Sequence, residues 1–91
     1  MSEPVRRRVV VHGYVQGVFF RDSTRREAAR RGIAGWVRNR PDGAVEAVFE
    51  GDPSAVDEMV AFCERGPRGA EVADIESSEE RVEGLSGFEV R

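Results

Sequence analysis

Apolar and polar positions alternate along this chain with two different periods. Residues 5–12, "VRRRVVVH", carry valines on both faces of an extended segment, which predicts a strand inside a sheet rather than at its edge. A stretch bracketed by glycines, "GYVQGVFFR" (residues 13–21), interrupts that run. The next segment, "RDSTRREAARRG", predicts a helix from about Asp22 to Arg31, stopped by Gly32, with a thin apolar side made mainly of Ala28 and Ala29. Thr24 and Glu27 have capping-box spacing, and Asp22 or Ser23 could cap instead. In "IAGWVRN", Ile33, Gly35, Val37 and Asn39 share one face of a strand, and Ala34, Trp36 and Arg38 share the other. "RPDG" (residues 40–43) is a turn sequence and "AVEAVFEG" a third strand, so these two strands form a hairpin. Asp52 then caps a second helix with Pro53 at its first position, and Val56, Met59, Val60 and Cys63 recur at i, i+3, i+4, i+7. "RGPRG" ends that helix, "AEVADIES" reads as a fourth strand, residues 77–87 as a polar loop, and "FEVR" as a short last strand.

Strand, helix, strand, strand, helix, strand and a short tail strand form an α+β plan. It predicts the ferredoxin-like sandwich, an antiparallel sheet with both helices on one face. Ninety-one residues make one domain, 1–91. No apolar run approaches the roughly 18 residues of a membrane span, and "MSEPVRRR" lacks the apolar region of a signal peptide, so the expected setting is the cytoplasm, with no membrane partner. The lone Cys63 agrees with a reducing compartment, and its place on the apolar stripe makes it a core residue. Charge is unevenly spread. Residues 1–40 hold ten arginines against three acids and residues 41–91 four against fourteen, so the net −3 separates into +7 and −10. An anionic ligand therefore suits the first half better than the second.

The glycine-bracketed stretch admits two readings. It is a plain strand-to-helix connection, or it is a cradle of main-chain N–H groups at a helix N-terminus, where the free N–H groups and the dipole attract an anion. In the second reading Gly13 and Gly17 let the backbone turn, and the planar fork of Arg21 clamps phosphate oxygens. Asn39, just before the Pro-Asp-Gly turn, serves either that turn or the loop, depending on strand order. His12 reads as a packed or surface histidine, the run Arg6, Arg7, Arg8 as a solvated strand start, and Glu79, Glu80 and Glu83 as a soluble loop.

"GYVQGVFFR" followed after a helix by "GWVRNRPDGAVEAVFEG", and then by "GFEV" near the end, resembles the acylphosphatase family over nearly the whole chain. That resemblance implies a ferredoxin-like fold and hydrolysis of a small-molecule acyl phosphate. It implies that Tyr14, Val15, Gln16, Gly17, Val18, Phe19 and Phe20 form the phosphate cradle, that Arg21 is the phosphate-binding catalytic arginine, and that Asn39 positions the attacking water. The sequence contains no metal-ligand cluster and no Ser-His-Asp set, and it has one histidine, so no metal or cofactor is expected. A monomer with no nucleic-acid partner is expected. The alternative is a non-catalytic phosphate- or RNA-binding module on the same fold, although no base-stacking strand motif is visible.

Overall fold

The computed structural model describes residues 3–91. Its elements are β1 (Val5–Tyr14), α1 (Phe20–Arg30), β2 (Ala34–Asn39), β3 (Val45–Gly51), α2 (Pro53–Arg65), β4 (Glu71–Glu80) and β5 (Phe88–Val90). The strands form one sheet in the order β4-β1-β3-β2-β5. On one sheet face, Val9, Val11, Val37, Val45, Ala47 and Phe49 meet Phe20 and Ala28 of α1 and Val56, Met59, Val60 and Cys63 of α2. The predicted stripe of α2 is thus the buried one, and Asp52 caps that helix by accepting from the N–H of Ser54 at 3.2 Å. Both helices lie on this single face, as the ferredoxin-like plan requires.

The pairing departs from the expected all-antiparallel sheet at one place: β5 runs parallel to β2. The chain leaves β4 at one edge and must cross to the other, so it re-enters in the direction of β2. Glu50 holds the crossing segment, its carboxylate accepting from the main-chain N–H groups of Glu83, Gly84 and Leu85 at 2.9, 3.1 and 3.0 Å. Phe88 then stacks on Phe49, with ring centroids 5.9 Å apart.

Three local expectations are corrected. First, α1 starts at Phe20, not Asp22, and the capping box does not form. Phe19 takes a left-handed conformation (φ 60°) that turns the chain into the helix early. Phe20, Thr24 and Ala28 become the buried line of α1, while Ala29 is exposed. Thr24 is satisfied inside the helix by donating from Oγ1 to the Phe20 carbonyl at 2.8 Å. Second, residues 77–80 belong to β4 rather than to a loop, because β1 offers a matching ladder as far as Arg6. Third, Arg6 is buried, not solvated: it donates to Glu50 at 2.8 Å and to Glu80 at 2.9 Å, and lies 3.3 Å from Glu83. On the same face Glu46 is buried between Arg38, at 2.6 Å, and Arg8. Burial raises the Glu46 and Glu50 carboxyls, but the arginines, and for Glu50 the crossing N–H groups, outweigh it and hold both below the usual range.

Candidate active site

The site forms where β1 ends, α1 begins and β2 stops. β1 runs two residues beyond His12 through a bulge at Gly13, so Tyr14 is its last residue, paired with Glu71, rather than part of the loop proper. A Cβ on Gly13 would lie 2.2 Å from the Glu71 carbonyl oxygen, so only glycine lets the strand hug β4 here. The loop then has two core anchors: Val15 is 1% exposed, and Phe20 packs edge-on against Phe62 with centroids 6.4 Å apart. Between them Gly17 turns at φ 76° with open space around it, so its backbone angle and not crowding selects glycine.

Gln16 does not point at the cleft. Its side-chain amide donates to the carbonyls of Arg40 and Ala44 at 2.8 and 2.9 Å, stapling the loop to the β2–β3 hairpin. This staple fixes the distance between the loop and Asn39, which stands at the end of β2 on that hairpin.

With Phe19 left-handed and no side-chain cap on α1, the main-chain N–H groups of Gly17 and of residues 19–22 make no hydrogen bond among the described residues. They meet a cleft of about 520 Å³, lined by Val15, Gly17, Phe19, Phe20, Arg21 and Asn39 together with Asp22, Arg25 and Val90. The size suits a small ligand. Arg21 donates from Nη1 to the main-chain oxygen of Arg91 at 3.2 Å, which leaves most of its donors unused. Asp22 accepts from Arg25 at 2.9 Å and lies 3.3 Å from Arg26. The hydrogen bond from Arg25 is the main reason its carboxyl titrates below the usual range. That pairing leaves the wall of α1 nearly neutral and Arg21 as the cleft's uncompensated cation.

Six of the nine expected site residues therefore line one cleft, whereas Tyr14, Gln16 and Val18 do not. Val18 packs against the core instead. His12 stands apart, its ring 2.6 Å from Glu76. Three lining residues escaped sequence reasoning. Arg25 lies one helical turn after Arg21, so helical spacing would have found it. Asp22 carries a capping signal in the sequence and none for a cleft. Val90 reaches the cleft through the parallel pairing of β5, for which the sequence carries no local signal.

The acylphosphatase family model matches residues 7–90. The chain is 61% identical to an acylphosphatase of Rubrobacter xylanophilus over 85 residues, covering 92% of this chain and 77% of that one. It is 53% identical to an acylphosphatase of Gloeobacter violaceus over 90 residues, covering 99% and 97%. Its structure is similar to the crystal structure of acylphosphatase from Bacillus subtilis, with a TM-score of 0.91 at 40% identity over 96% and 98% of the two chains. By sequence along nearly its whole length and by fold, the chain belongs to the acylphosphatase family, a family of hydrolases.

Proposed function

We propose that this protein hydrolyses the carboxyl–phosphate bond of small acyl phosphates, holding the phosphate on the open N–H groups of the loop and on Arg21, with Asn39 orienting the attacking water. The observation that carries this reading is the set of unpaired N–H groups at Gly17 and residues 19–22, on the wall of one cleft with Arg21 and Asn39. The expected cradle residues Tyr14, Val15, Gln16, Val18 and Phe20 support it differently. Val15, Val18 and Phe20 anchor the backbone, Gln16 staples it, and Tyr14 delivers it from the sheet.

The chemistry asks little more of the protein. A carboxylic acid has a pKa near 4, so its anion leaves without a proton donor. The phosphate's second pKa is about 6, so a substrate oxygen can take the proton of the water. What remains is positioning and stabilisation of charge on the transferring group, the major terms in phosphoryl transfer. Arg21 and the α1 N-terminus supply the charge, and the Asn39 amide, which makes no side-chain hydrogen bond among the described residues, is free to hold a water.

No helix of the described residues is long and apolar enough to cross a membrane. The edge strands, one rich in acids and one of three residues, resist edge-to-edge pairing, which supports a monomer. The lone, buried Cys63 fits a reducing cytoplasm. The test is release of inorganic phosphate from acetyl phosphate by the purified protein in excess chelator. Turnover is expected; a folded protein that binds phosphate without turnover would overturn the enzyme reading in favour of a binding module.

A further inference from the structure

The described residues expose three large apolar side chains: Phe19 at 80%, Tyr14 at 62% and Val90 at 43%. All three stand at the end of the sheet where the cleft opens, and two of them, Phe19 and Val90, line it. They come from segments far apart in sequence, so local patterning does not explain their meeting.

Phe19 is the more telling. Its backbone sits at φ 60°, a conformation that disfavours side chains and that glycine adopts freely. Its ring is mostly in water and takes no part in the core, so no packing offsets the strain. Strain and exposure together at a cleft mark a residue kept for what it contacts there. Across from it, Val90 adds an aliphatic surface from β5. The remaining wall carries Arg25, but Arg25 is already paired with Asp22 at 2.9 Å and makes no demand for a second anion on the ligand.

We infer that Phe19 and Val90 form the acyl-group subsite of the cleft and set a preference for acyl phosphates whose acyl group is aromatic or otherwise bulky and apolar. This rests on the acyl phosphate reading above. The phosphate lies on the loop N–H groups and Arg21, and the acyl group leaves along the apolar rim. Neither side chain takes part in bond breaking; both act on which substrate is held. A phenyl ring laid against both removes on the order of 50 Å² of apolar surface from water, about a tenfold effect on kcat/KM.

The experiment compares kcat/KM for benzoyl phosphate and acetyl phosphate in the wild type, Phe19→Ala, Phe19→Leu and Val90→Ala, with folding checked by circular dichroism. Taking the ratio of the two substrates within each protein, relative to the same ratio in the wild type, cancels their different intrinsic reactivities. The expected result is a drop of about fivefold or more in this ratio for Phe19→Ala and about two- to threefold for Val90→Ala, with Phe19→Leu keeping most of it. A ratio that stays at the wild-type value in both alanine variants while both substrates are turned over would overturn the subsite and leave the acyl phosphate reading standing. Failure of the folded wild type to turn over either substrate would overturn that reading, and the subsite with it.

Discussion

Replacing Gln16 with alanine tests whether the loop works only when tied to the hairpin. The side chain spans the two segments with two hydrogen bonds of 2.8 and 2.9 Å. Neither carbonyl is stranded by the change, because the Arg40 carbonyl also accepts from Gly43 at 3.1 Å and the Ala44 carbonyl from Arg40 at 2.8 Å. The loss is therefore the net worth of two neutral hydrogen bonds, about 1–2 kcal/mol, without an unsatisfied buried group. For a domain of this size that lowers Tm by roughly 5–15 °C. A domain with about 5–14 kcal/mol of stability stays folded at 25 °C after such a loss. Any fall in rate at that temperature then reports geometry. A loop displaced by about 1 Å from Asn39, the residue proposed to orient the water, can lose up to 10²-fold, so kcat should drop about tenfold or more. Thermal unfolding by circular dichroism and initial rates on acetyl phosphate measure the two effects separately. Full kcat in a variant with the expected Tm loss would refute the idea that this staple positions the site.

The Arg6–Glu50 network gives a larger stability effect: Glu50→Ala removes the acceptor of three N–H groups and one partner of a buried guanidinium, and should cost about 3–5 kcal/mol by urea unfolding, whereas a loss below 1 kcal/mol would show the crossing segment held by other contacts. Acid should destabilise the fold through the same groups. Glu46 and Glu50 titrate below the ordinary 4.5 when folded, so their contribution is fully present above that pH and is lost as pH falls through their lower folded values. Urea midpoints should hold from neutrality to about pH 5 and decline below, and a midpoint that rises on acidification would contradict this. Cys63 has its thiol pushed up to about 12 by burial, so Ellman's reagent should react with it only at the rate of unfolding; fast labelling of native protein would place it outside the core.

Elements with a strong period are readable from the sequence alone. The valines of β1, the β2–β3 hairpin and the stripe of α2 each fall on a buried face because one pattern serves one environment. The start of α1 departs from the predicted Asp22 because the cap, Phe19, acts through backbone angle alone, while Thr24 has a capping side chain but is used inside the helix. Arg6, Glu46 and Glu50 look like solvent-facing residues in a strand, and their burial depends on partners in other strands and in the crossing segment. At the site, the two motifs that carry Arg21 and Asn39 meet at one cleft. The bonds of the Gln16 side chain to the hairpin carbonyls have no signal in the local sequence, because they depend on how the loop and the hairpin pack. Val90 and the Arg91 oxygen reach the cleft through a crossover whose direction only the whole sheet determines.

We propose that Arg21 and Asn39 act on the substrate while contributing little to the fold. Arg21 makes one exposed 3.2 Å hydrogen bond, so Arg21→Ala should change the unfolding free energy by less than about 1 kcal/mol. The measurement is kcat for acetyl phosphate in the wild type, Arg21→Ala and Asn39→Ala beside their unfolding curves. Losses of roughly 10² or more are expected in both folded variants. Near-normal turnover in folded Arg21→Ala would contradict a role for this arginine at the substrate.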